Sequence, residues 1–164
     1  MDHDFASVCD NTQPYDGHMP VDVATWTDID RPRTEVAAFA ADPDNVTAWY
    51  QNIQSVEWLT PGPLEVGTRL AFVAHFLGRR LAYTYEVLEF VPSKRLRMST
   101  SAGPFPMETS YTWDDTARGG TRMTLRNRGE PAGFSKVAAP LLERAMRRAN
   151  TKDLARLKQV LESP

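Results

Sequence analysis

His75 is the only histidine between Val21 and the C-terminus, and an imidazole on a strand is the first group to weigh as a general acid or base. That chemistry needs the ring inside a pocket, near a proton it can move. The alternation around it puts His75 on a polar face opposite Ala82, so it reads as a solvent-exposed strand residue. The carboxylates follow the same pattern. Glu86 and Glu108 point outward, with Glu108 opposite Arg126 in a surface pair of small energetic value, and Asp114-Asp115 belong to a turn. His3, Cys9 and His18 match no ligand spacing, and no HExxH, paired-cysteine motif, phosphate-cradling glycine loop or Gly-x-Ser-x-Gly occurs. Nucleophilic, metal-dependent and nucleotide-dependent catalysis are therefore not expected, and no cofactor is expected. Three phenols remain. Tyr83, Tyr85 and Tyr111 can donate hydrogen bonds to carbonyl oxygens, whereas Arg97 and Arg126, useful for the same purpose, fall on the outer face.

These side chains must be carried by a particular order of elements. Residues 1–20 lack apolar periodicity and read as a disordered N-terminal tail, so the domain is expected over 21–164. VDVATWTDI alternates as a strand. RPRTEVAAFAADPDNVTAWYQ gives two short helices, the first with a Val36/Phe39/Ala40 stripe, the second entered through Pro43. NIQSVEWL is a second strand, closed by Pro61-Gly62-Pro63. TRLAFVAHF and LAYTYEVLEF flank a hairpin turn placed at Gly78-Arg79. RLRMSTS, METSYTWD and TRMTLRNRG follow, separated by turn-forming loops. From Gly133 to Glu162 the apolar residues recur at helical spacing, with a kink expected at Pro140. One strand, two helices, six strands and a long helix make an α+β fold. Its seven-stranded antiparallel sheet must be covered, and the last helix is the only element long enough to cover it.

Hairpin pairing sorts the side chains into two faces. The expected pairs are Phe72 with Tyr85, Val87 with Met98, Met98 with Tyr111, and Tyr111 with Met123, with a β-bulge allowed near Glu89. One face then holds Leu70, Phe72, Phe76, Leu81, Tyr83, Tyr85, Val87, Leu96, Met98, Met107, Tyr111, Trp113, Met123 and Leu125. The other holds His75, the glutamates and the arginines. Methionine and tyrosine adapt to irregular shapes, which suits a pocket as well as a core.

Composition closes off other classes. The 164 residues make one domain, and 41% hydrophobic residues suffice for a core. A net charge of -2 gives no reason to expect nucleic acid as a partner. No apolar run approaches the roughly 18 residues of a membrane span, so no integral membrane segment is expected. One cysteine and the lack of a signal-peptide pattern imply a cytoplasmic location. A homodimer is left open.

Several stretches occur together in one order: Ile29-Asp30-Arg31-Pro32-Arg33-Thr34-Glu35-Val36, Asp42-Pro43, Trp49, Gly67-Thr68-Arg69, Glu86 to Pro92, Gly119-Gly120-Thr121-Arg122, and Asp153 to Lys158. In that order they resemble the START-like polyketide cyclase/dehydrase and lipid-transport superfamily (SRPBCC) over residues 21–162. The resemblance implies the helix-grip fold, a curved sheet gripping the C-terminal helix with a cavity between. It transfers no catalytic residue, because no catalytic motif here matches one, and fold does not fix function.

The expected ligand contacts are Trp49, Phe72, Tyr83, Tyr85, Met98, Met107, Tyr111, Trp113, Met123, Phe134, Met146 and Asn150. Trp49, Phe105 and Phe134 are placed at an entrance, and Asn150 on the buried helix face, where it needs a partner. The leading expectation is a binder of a hydrophobic small molecule such as a lipid, polyketide or aromatic metabolite. A polyketide cyclase/dehydrase-like enzyme and a protein-interaction or regulatory domain with a filled core are the alternatives. A buried Arg, His or carboxylate on the cavity wall favours the enzyme. The cationic residues of the last helix, Arg144, Arg147, Arg148, Lys152, Arg156 and Lys158, read as a solvated face.

Overall fold

The computed structural model describes residues 21–130 and 139–164. The expected N-terminal tail and Phe134 lie outside the described residues. Strand β1 (Val21–Ile29) leads into α1 (Arg33–Ala41), a 3-10 turn (Pro43–Asn45) and α2 (Val46–Trp49). Six strands follow: β2 (Ile53–Trp58), β3 (Arg69–Phe76), β4 (Arg79–Val91), β5 (Arg95–Ala102), β6 (Met107–Asp115) and β7 (Thr121–Gly129). Helix α3 (Ala139–Glu162) ends the chain. Pro140 lies in the first described turn of this helix.

Local chemistry starts the short helices. The Pro32 carbonyl accepts the amides of Glu35 and Val36. The Asp42 carboxylate caps the 3-10 turn through the Asp44 amide, with Pro43 fixing the first φ. The seven strands form one antiparallel sheet in the order β1-β7-β6-β5-β4-β3-β2, curled around α3 in a helix-grip. Helix α3 is tied to β1 at both ends of their contact. Arg147 donates to the Ala24 carbonyl, and Lys158 Nζ to the Asp28 carbonyl.

The registers differ from the sequence expectation by two residues at three hairpins. Phe76 faces Arg79 and Phe72 faces Tyr83, because the turn is Leu77-Gly78 rather than Gly78-Arg79. Both turn residues take positive φ, 47° and 74°, the mirror-image turn that matches strand twist. Likewise Leu96 faces Tyr111, and Tyr111 faces Leu125. Glu108 therefore faces Arg128, and Arg126 pairs instead with Asp22. The β4–β5 pair Val87–Met98 holds, with a register shift between Val87 and Glu89. A two-residue slip moves partners along a face without exchanging faces. Hence Leu70, Phe72, Tyr85, Val87, Leu96, Met98, Tyr111, Trp113, Met123 and Leu125 are all buried.

The interior consists of two apolar clusters. The larger joins α1, α2 and the middle of the sheet to Leu154 and Leu157 of α3. The smaller joins Val21, Val23 and Leu142 to Phe76, Leu81, Phe105 and Met146. The space between these clusters is where the packing is interrupted.

Candidate functional site

A cavity of about 130 Å³ opens between the two clusters, under α3 and over β3 to β7. Its wall takes Phe72, Tyr85, Met98 and Tyr111 from the larger cluster, and Leu81, Phe105, Leu142 and Met146 from the smaller. For scale, an apolar cavity of about 150 Å³ accepts one benzene molecule. Aromatic faces dominate one side. Phe72 and Tyr83 stack at 5.6 Å, and Tyr85 meets both edge-on at 5.5 and 5.2 Å.

Of the residues expected to contact a ligand, Phe72, Tyr83, Tyr85, Met98, Met107, Tyr111, Met146 and Asn150 stand on this wall. Trp49, Trp113 and Met123 do not; they are fully buried in the larger cluster. Trp49 packs on Tyr50 at 4.0 Å and on Tyr111 at 5.8 Å, so it supports the cavity wall rather than rimming an entrance. The indole Nε1 atoms of Trp49 and Trp113 are buried with no hydrogen-bond partner.

Two hydrogen-bonded sets give the cavity its polarity. In the first, Asn150 Nδ2 donates to Asn127 Oδ1 at 2.7 Å, and Asn127 Nδ2 donates to Thr109 Oγ1 at 2.8 Å. Thr109 in turn shares a 2.7 Å bond with the Tyr85 hydroxyl. Three strands and α3 are thus linked through side chains alone. In the second set the hydroxyls of Tyr50 and Tyr111 meet at 2.8 Å. Burial holds the Tyr50 and Tyr83 phenols well above the ordinary tyrosine range, raises Tyr111 similarly, and pushes Tyr85 to about 12. All four are neutral hydroxyls at ordinary pH, able to donate as well as accept.

Asp153 was not foreseen as a site residue. It lies one turn beyond Asn150, is 2% exposed, and stands on the cavity wall. Its Oδ1 accepts the Gln51 amide at 3.0 Å. Burial raises its pKa to about 6, against the lowering effect of the Gln51 bond. The signal in the sequence was position. Asn150, Asp153, Leu154 and Leu157 follow the i, i+3, i+4, i+7 pattern of one helix face. Tyr50 was likewise missed, because it follows the last residue of α2.

His75 is exposed and is also one of the residues lining the cavity. The arginines of β5 and β7 pair with acids on the outer face, among them Arg126 with Asp22, Arg122 with Asp28, and Arg97 with Glu89 and Glu108. Among the described residues no Lys or Arg lines the cavity. No group of three or more His, Cys, Asp or Glu gathers as metal ligands there either. No helix among the described residues is long and apolar enough to cross a membrane.

Residues 20–162 match the model of the family described as polyketide cyclase / dehydrase and lipid transport. The chain belongs to this family. Comparison with curated proteins finds no match. Solved structures share the fold of this polyketide cyclase/dehydrase and lipid-transport domain at low identity. TTHA0849 from Thermus thermophilus is 21% identical with a TM-score of 0.73, over 85% of this chain and 96% of its own. A START superfamily protein from Mycobacterium smegmatis is 12% identical with a TM-score of 0.73, over 86% and 97%. The Zhui aromatase/cyclase from Streptomyces sp. R1128 is 16% identical with a TM-score of 0.72, over 88% and 94%. At such identities the likeness is one of architecture.

Proposed function

We propose that the domain binds a small apolar molecule, one aromatic ring or its equivalent in size, in the cavity between sheet and α3. The observation carrying this reading is the gap of about 130 Å³ between two otherwise closed clusters, with aromatic faces and neutral hydroxyls on its wall. An apolar wall with a few fixed polar groups is the usual form of a small-molecule site. A bulkier lipid or polyketide would have to part Met146 and Leu142 from the sheet. Native mass spectrometry of freshly purified protein, followed by extraction, tests the reading directly. A ring-sized apolar species is expected to co-purify or to exchange in. Uptake of a neutral fluorescent probe should weaken at least several-fold in Tyr85→Ala and persist in His75→Ala. Uptake that His75→Ala abolishes while Tyr85→Ala preserves would sink this assignment.

A second reading is favoured by Asp153. A buried carboxylate on the cavity wall beside two coupled phenols is the arrangement that favours an enzyme, and aromatase/cyclase activity is named for one neighbour of the same fold. In this reading ionised Asp153 takes an α-proton from a 1,3-dicarbonyl compound. The Tyr50–Tyr111 pair donates a hydrogen bond to the carbonyl oxygen on which charge collects. The enolate carbon then attacks a second carbonyl of the same chain, and protonated Asp153 returns its proton to the new alkoxide. Exchange of the α-protons of a small 1,3-diketone into heavy water, followed by NMR, examines this. The wild type should accelerate exchange and Asp153→Asn should not. Equal rates for the two proteins would eliminate the cyclase reading and leave the binding one.

A further inference from the structure

We propose that the molecule bound in the cavity carries a protonated amine, its ammonium seated on Asp153 and its apolar body among the aromatic rings. This rests on the binding reading, in which Asp153 meets the ligand without chemistry. Three observations converge. The first is the carboxylate itself. Asp153 is 2% exposed, stands on the cavity wall, and has its Oδ1 fixed by the Gln51 amide. An acid so placed costs stability unless something answers it, and retained cost of that kind collects at functional sites.

The second is the helix geometry. Asn150 precedes Asp153 by one turn on the same face, and both line the cavity. One N–H of Asn150 Nδ2 is taken by Asn127, and its Oδ1 is an acceptor one turn from the carboxylate. An ammonium carries three donors and no acceptor, and so can serve both oxygens. A hydroxyl carries one donor.

The third is the field of the wall. Tyr50, Phe72, Tyr83, Tyr85 and Tyr111 line the same space, and an aromatic ring attracts a cation that meets its face. No Lys or Arg among the described residues lines the cavity to oppose this. Arg144, Arg148 and Lys152 line an outer groove that Asp153 also borders, and all three are exposed, where water and salt screen them. A carboxylate or phosphate ligand would find no cationic partner among the described lining residues, and would add a second negative charge beside the first.

Four probes of nearly one size separate the possibilities: toluene, benzyl alcohol, benzylamine and benzoate, titrated into the full chain and followed by NMR amide shifts. Benzylamine should bind at least ten-fold more tightly than toluene or benzyl alcohol, and benzoate most weakly. Asp153→Asn should remove the benzylamine advantage while toluene binding persists, which also shows that the variant is folded. If toluene and benzyl alcohol bind as well as benzylamine, the amine assignment is wrong and the binding reading stands. Benzoate binding tighter than benzylamine would also overturn it, and would direct attention to the outer groove. If none of the four binds, the ring-sized site itself is wrong and the inference falls with it.

Discussion

Asn150 on α3 and Asn127 on β7 lie 23 residues apart and are joined by a 2.7 Å hydrogen bond in the buried interior. The bond fixes the helix against the sheet at the point where the apolar packing is interrupted. Asn127 passes the link to Thr109, and Thr109 to Tyr85, so the cavity wall is held by side chains as well as by the ladder. A buried amide left unpaired costs about 1–3 kcal/mol, more than the bond itself contributes. Asn150→Leu should therefore destabilise the fold by about that amount in urea unfolding. The double variant Asn150→Leu/Asn127→Leu should be less destabilised than the sum of the two singles, by about 1 kcal/mol. Simple additivity would mean that the two amides are not coupled in solution.

The carboxyl one turn further along has its pKa shifted in the opposite direction to those of Asp22, Asp28 and Glu162, which partners hold low. Asp153 has its pKa raised from 3.8 to about 6 by burial. Below about pH 4 the group is protonated in folded and unfolded chains alike and exacts no penalty. Between those values the unfolded chain loses the proton first. The folded state falls behind by up to about 3 kcal/mol, an upper figure at 1.36 kcal/mol per unit. Stability attributable to this residue thus drops as pH rises from about 4 to 6 and stays low above that. Asp153→Asn should be more stable than the wild type at about pH 8, and the gain should shrink towards zero near pH 3.5. Thermal unfolding across that range is the measurement; a gain independent of pH would show that ionisation is not its source.

The contrast between Asn150 and Asp153 illustrates what could be read from the chain. The order of elements along the chain and the two faces were legible, because alternation over eight or nine residues fixes which side chains point inward. The separation survived even where Phe72 proved to face Tyr83 rather than Tyr85. Registers were not legible to two residues, since the turn at Leu77-Gly78 needs positive φ at a leucine, which composition does not announce. Burial of Asn150 was foreseen from its neighbours Met146 and Leu154. Asp153 shares the same stripe, but an aspartate in a helix full of arginines reads as surface until the geometry shows otherwise. The distinction between core and cavity wall, Trp113 against Met98, was beyond the sequence altogether, because both belong to one inward face.

The Tyr50–Tyr111 pair gives a spectroscopic handle. Burial keeps Tyr50, Tyr83, Tyr85 and Tyr111, four of the five tyrosines, protonated above their usual range. Alkaline titration at 295 nm should therefore show these four phenols ionising only above the ordinary tyrosine range or when the fold opens. Tyr111→Phe keeps the ring against Trp49 and Trp113 but removes the 2.8 Å contact, leaving the Tyr50 hydroxyl without it. A loss of about 1–2 kcal/mol is expected in unfolding. Three or more phenolates at pH 10 in the folded protein would show that the cavity is far wetter than its lining implies.

Met98 and Met123 offer the sharpest separation of site from core. Both are buried and both lie on the inner face of the sheet, but Met98 borders the cavity and Met123 packs within the larger cluster. Truncating either to alanine should cost about 2–5 kcal/mol, since buried methionine loses its contacts in either place. Their effects on ligand size should diverge. Met98→Ala enlarges the existing cavity by the volume of the lost side chain, so a two-ring probe such as naphthalene should gain at least several-fold over toluene. Met123→Ala opens a separate void behind the wall and should leave that ratio unchanged. The ratio of the two affinities, measured by NMR titration in each variant, cancels general loss of stability. If Met123→Ala shifts it as much as Met98→Ala does, the two sites communicate and the cavity is not bounded by the wall described above.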